Sequence, residues 1–78
     1  MVKIIINEKI RFGKPIIEGT RITVDEVLGA LAGGMTYEEI EEEYGLTKEG
    51  ILAALRYATK IIAEEKIGFQ YFPITFRR

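Results

Sequence analysis

Thr36-Tyr37-Glu38-Glu39-Ile40-Glu41-Glu42-Glu43-Tyr44-Gly45-Leu46-Thr47-Lys48-Glu49-Gly50-Ile51-Leu52-Ala53-Ala54-Leu55-Arg56-Tyr57-Ala58 is the stretch on which the reading of the fold turns. Thr36 and Glu39 have the spacing of a capping box, in which the hydroxyl accepts from the amide three residues on and the glutamate reaches back. The helix they open is short, because Gly45 offers the left-handed conformation that ends helices. Thr47 then caps a longer helix. Its apolar positions, Ile51, Ala54, Leu55, Ala58, Ile61 and Ile62, recur with the 3.6-residue period of one helix face. A short helix, the turn Gly45-Leu46-Thr47 and a long helix have the proportions of a helix-turn-helix, whose helices cross at roughly 90–120° through a three- or four-residue turn. In that arrangement Ile40 and Tyr44 point inward, Leu46 is buried in the turn, and Ile51, Ala54 and Leu55 face them.

Working outward, Thr23-Val24-Asp25-Glu26 is another capping box. It opens a helix to about Ala32 with Val27, Leu28 and Leu31 on one side, stopped by Gly33-Gly34. The fold class is therefore mainly α, a homeodomain-like three-helix helix-turn-helix core. Val2–Asn7 is β-branched and ends in a turn-former, which reads as a strand. Arg11–Ile22 contains Gly13, Pro15 and Gly19 and reads as a compact loop or short hairpin. Continued to Lys66, the third helix is about 28 Å long at 1.5 Å per residue. A core of three helices does not need that length, so Thr59–Lys66 is a candidate dimer contact. Beyond it, Phe72, Ile74 and Phe76 alternate, consistent with a C-terminal strand that Pro73 restricts to an edge. Such a strand needs pairing, with Val2–Ile6 of the same or another copy or with a different protein. The chain reads as a single domain over residues 1–78: a strand and loop arm (1–22), three helices (23–66) and an aromatic-basic tail (67–78).

Composition narrows the chemistry. The 78 residues contain no Cys and no His, which removes thiol catalysis, thiolate metal sites and the usual general base near neutral pH. No apolar run is long enough to span a bilayer, and the start lacks the pattern of a secretory signal, so a cytoplasmic protein without a membrane partner is expected. No cofactor site, catalytic acid–base pair or nucleophile is recognisable, and the expectation is a binder rather than an enzyme. The net charge of −1 hides three blocks: +3 over residues 1–22, −7 over 23–50 and +3 over 51–78. Consecutive glutamates spread around a helix and cannot converge on one ion, so Glu38–Glu43 reads as a solvated face, or as a docking surface for a basic partner. DNA recognition draws little support from the third helix. Its early exposed positions offer Lys48, with Arg56 further on, and the preceding helix carries five carboxylates that oppose phosphate. The candidate DNA contacts are Lys9, Arg11, Lys14 and Arg21, acting as an arm, together with Lys48 and Arg56. The arm residues read equally well as solvated loop charges, or with Arg21 bonding a helix C-terminus.

Gly13-Lys14-Pro15-Ile16-Ile17-Glu18-Gly19-Thr20-Arg21-Ile22-Thr23-Val24 resembles the signature of the bacterial and archaeal domain of unknown function 433 family, G-K-P-x-I-x-G-T-R-[IVT]-x-V. The resemblance continues through Leu31–Gly34, Thr36–Ile40, the turn Tyr44–Thr47 and Ile51–Ala58. It implies a homeodomain-like helix-turn-helix, commonly dimeric, acting as the antitoxin of a type II toxin–antitoxin module similar to the VapB class. The implied partners are a PIN-like nuclease toxin and operator DNA, through which the module represses itself. The tail lies outside the resemblance. As a toxin-binding segment it would anchor through Phe69, Tyr71, Phe72 and Phe76, with Arg77 and Arg78 meeting an acidic nuclease site. The alternative is that it forms a strand of the dimer. A stand-alone repressor, or a homo-oligomeric scaffold without a ligand, are the competing functions.

Overall fold

A buried threonine hydroxyl starts the first helix. Thr23 is fully buried, and its Oγ accepts from the Glu26 amide at 3.2 Å while the Glu26 carboxylate accepts from the Thr23 amide at 2.9 Å. Thr36 and Glu39 repeat the exchange at 3.1 and 2.8 Å. Thr47 accepts from the Gly50 amide at 3.1 Å. The three threonines read as caps all cap, because the signal needs only residues within one helical turn. The computed structural model describes residues 2–64, and in it the chain forms β1 (Ile4–Ile5), β2 (Ile16–Ile17), α1 (Val24–Ala32), α2 (Tyr37–Tyr44) and α3 (Lys48–Glu64). This is a mainly α, three-helix fold with a small N-terminal hairpin. The tail 67–78, the expected C-terminal strand and the anchors Phe69, Tyr71, Phe72, Phe76, Arg77 and Arg78 lie outside the described residues.

Glycines end the first two helices as their conformational freedom allows. Gly34 (φ 101°) reverses the chain after α1, where the Gly33, Gly34 and Met35 amides return to the Gly29, Leu31 and Ala30 carbonyls. Gly45 (φ 69°) ends α2 in the left-handed conformation, and Leu46 turns into the core behind it.

The expected N-terminal strand is paired only over Ile4–Ile5, antiparallel to β2 with Ile4 opposite Ile17 and Ile5 opposite Ile16. The segment 11–22 thus resolves to the hairpin alternative, and the GTR run explains how. Gly19 (φ 81°) makes the turn. The Thr20 hydroxyl donates to the Ile17 carbonyl at 2.8 Å and accepts from the Ile22 amide at 3.0 Å. The Ile17 amide returns to the Ile22 carbonyl, the Val24 amide donates to Pro15, and a bridge joins Ile16 to Thr23. β2 is thereby held on both sides and delivers Ile16 and Ile17 to the interior.

The core is Ile17, Val24, Val27, Ile40, Leu46, Ile51 and Ala54. It joins the hairpin to all three helices. Ile40, Leu46, Ile51 and Ala54 are buried as expected, while Tyr44 and Leu55 are half-buried. Along α3 the apolar face outlasts the core: Ile61 is 44% exposed and Ile62 71% exposed.

Candidate functional site

Two concave surfaces flank α3. One lies between the Lys14-Pro15 segment, α1 and the second half of α3. It is an apolar groove of about 340 Å³ walled by Pro15, Val24, Leu28, Tyr57, Ile61 and Ile62, with Lys14 and Asp25 also lining it. It exists because the apolar face of α3 extends past the residues that α1 and α2 cover. The other, of about 450 Å³, lies between β1 and α3. Val2, Ile4, Ala53 and Tyr57 give it an apolar lining, and Lys3, Arg56 and Lys60 surround them with positive charge.

Two of the four arm cations, Arg11 and Lys14, meet acids of α1. The Arg11 guanidinium makes a two-pronged contact with the Glu26 carboxylate, at 3.3 and 3.0 Å, and donates to the Arg21 carbonyl at 2.8 Å. Glu26 therefore completes the Thr23 capping box and clamps the loop before it. The Arg11 hydrogen bond is the main reason the Glu26 carboxyl titrates below its ordinary range, with the Thr23 amide next, and Glu26 in turn raises the Arg11 guanidinium. Lys14 pairs with Asp25 at 3.2 Å. The Asp25 carboxyl is also lowered, first by the Thr23 hydroxyl beside it and less by Lys14. Both acids lie in the first turn of α1, where the amide ends of the helix favour negative charge.

The six residues proposed as DNA contacts therefore differ in their surroundings. Arg11 and Lys14 are engaged by acids of α1. Arg21 is exposed and gives its carbonyl to Arg11. Lys9 is exposed in the loop, and Lys48 is exposed at the first position of α3. Arg56 is grouped with Lys3 and Lys60. On α2, Glu38, Glu39, Glu42 and Glu43 are exposed and Glu41 is half-buried, the pattern of a solvated acidic face.

One feature escapes a reading from residue types. Arg11 (φ 51°), Phe12 (φ 60°) and Gly13 (φ 79°) are successive left-handed residues, and the Phe12 side chain stands 95% exposed on that turn. The only signal in the sequence is an aromatic residue directly before a glycine. Among the described residues no cluster of His, Cys, Asp or Glu could hold a metal ion, and no helix is long and apolar enough to cross a membrane.

The sequence pattern of a family described as protein of unknown function, DUF433, matches residues 4–58. A candidate antitoxin of Mycobacterium tuberculosis (strain ATCC 25618 / H37Rv), VapB45, is 29% identical over 52 residues, which cover 67% of this chain and 22% of that protein. The crystal structure of Rv2018 from Mycobacterium tuberculosis superposes with a TM-score of 0.61 at 29% identity, over 67% of this chain and 24% of that one. This chain thus spans about a quarter of the length of the relatives it matches.

Proposed function

The chain belongs to the DUF433 family, and from that premise we propose that it is an antitoxin-like adaptor of a type II toxin–antitoxin module. The observation that carries this reading is the similarity to the candidate antitoxin VapB45, which extends over 52 residues. The chemistry agrees. A chain without Cys or His, with two open grooves beside one helix, is equipped to bind and poorly equipped to catalyse. In this reading α2 and α3 form a homeodomain-like helix-turn-helix and two copies associate. The tail residues Phe69, Tyr71, Phe72 and Phe76, with Arg77 and Arg78, engage a PIN-like nuclease toxin in the cytoplasm. Operator DNA is a further ligand, bound through Lys48, Arg56 and the arm once the toxin is present.

Co-expression with the product of the adjacent reading frame tests the proposal. A stable complex that suppresses ribonuclease activity is the expected result, and truncation after Glu65 should release the toxin. Two proteins that separate on the first column would overturn it.

A further inference from the structure

Phe12 is a side chain the fold does not use. Left-handed backbone is disfavoured for residues with a Cβ, yet Arg11 and Phe12 both adopt it, held by the grip of Glu26 on the Arg11 guanidinium. Strain of this kind survives where the surroundings over-determine it, and it clusters at binding sites. Within the chain it gains Phe12 no burial: the ring is 95% exposed. Two residues further on, Lys14 and Pro15 begin the wall of the apolar groove. An exposed aromatic side chain thus stands two residues along the chain from the wall of an apolar groove, and it is not among the residues that line that groove.

We propose that two copies of this chain form a two-fold dimer in which Phe12 of each inserts into the groove between α1 and α3 of the other. The inference rests on the dimeric part of the reading above and is independent of the toxin. The size of the groove, about 340 Å³, is at the lower end of ligand cavities, which run to about 1,000 Å³, and leaves room for an aromatic ring. Reciprocal insertion about a two-fold axis closes the contact; insertion in one direction only would propagate head to tail. Each buried aromatic side chain removes about 150–250 Å² and covers a similar area of wall. Two insertions thus bury about 600–1,000 Å² before Ile61 and Ile62 are added, close to the roughly 1,000 Å² that a specific interface needs. Charge is self-complementary too. Lys14 and Asp25 line each groove as a pair whose side chains stay 53% and 62% exposed, so a two-fold axis can set opposite charges against each other.

The test is the dimer dissociation constant of the full chain, measured by analytical ultracentrifugation. Phe12→Asp and Ile61→Asp both replace exposed residues, and circular dichroism checks that each variant keeps the wild-type helix content. Each should weaken the dimer about a hundredfold or more, since two apolar contacts are lost at once. An equimolar mixture of the two variants keeps one intact Phe12 and one intact groove, and should associate more tightly than either alone. A Phe12→Asp dimer of wild-type affinity, or a mixture no tighter than its components, overturns the inference and leaves the dimeric reading standing. A wild-type chain that is monomeric at about 100 µM overturns both. Neither outcome bears on toxin binding, which is read separately by co-purification.

Discussion

Glu26 accepts from the Thr23 amide and from both terminal nitrogens of Arg11, so one carboxylate starts a helix and fixes the loop that carries Phe12. Its depressed titration makes stability depend on pH with a definite sign. The unfolded chain holds a proton on this glutamate at higher pH than the folded chain does. The stabilisation is therefore complete above the unfolded value of about 4.3 and is lost as pH falls through the lower folded value; Asp25 acts in the same direction. In Glu26→Gln, stability measured by urea unfolding should fall relative to wild type at pH 7, and the gap should narrow at pH 3. A gap of equal size at both values would show that the charge on Glu26 is not what matters. The hydroxyl partner gives a second comparison. Thr23→Ala should cost about 1–2 kcal/mol, the upper range for an N-cap, because the position is fully buried. Thr36 caps α2 at an exposed site, and Thr36→Ala should cost less, about 0.5–1 kcal/mol.

At the scale of elements, two glycines separate propensity from conformation. Gly29 lies inside α1, and a Cβ there would meet nothing within 4 Å, so Gly29→Ala should stabilise by up to about 1 kcal/mol through helix propensity alone. A Cβ on Gly45 would also enter open space, but the backbone there is at φ 69°. Gly45→Ala should therefore destabilise by about 1 kcal/mol or more. Thermal unfolding of the two variants should move in opposite directions; the same direction for both would refute the assignment of the α2 end. Ile40 ties α2 to the core with no exposed surface, and Ile40→Ala should cost about 2–5 kcal/mol. The features behind these expectations were legible in the sequence because they are local. A cap, a breaker and an apolar period each act within a turn or two of helix. What was not legible joins distant positions or breaks a residue-type rule. Arg11 and Glu26 are separated by 15 positions, so their ion pair could not be read from the sequence around either residue. The groove draws its walls from three segments. The left-handed pair Arg11-Phe12 contains no glycine to announce it. For α3 the period was legible but the limit of its burial was not, because that limit depends on where α1 and α2 stop covering the helix.

For the whole molecule, the division of charge into +3, −7 and +3 is altered by folding. The positive first block is partly neutralised, because Arg11 and Lys14 meet Glu26 and Asp25 from the acidic block. The rest of the acidic block stays displayed, with four exposed glutamates on α2, the helix that would cross the phosphate backbone under the helix-turn-helix reading proposed above. Affinity for DNA of any sequence comes mainly from neutralised phosphates and the counterions they release. At about 0.1 M salt the screening length is about 10 Å, so carboxylates on the adjacent helix still oppose contacts made by Lys48. The chain alone should therefore give no retarded band with its own upstream DNA at about 50 mM salt. Replacing Glu38, Glu42 and Glu43 together by Gln removes three exposed charges without touching the core or the Thr36 cap. A retarded band should then appear and disappear again as salt is raised, since log affinity falls linearly with log salt. A steeply salt-dependent shift by the wild-type chain would defeat this argument. It would place Lys9, Arg21, Lys48 and Arg56 on the phosphates with the glutamates turned away, and it would favour a repressor that acts without a partner.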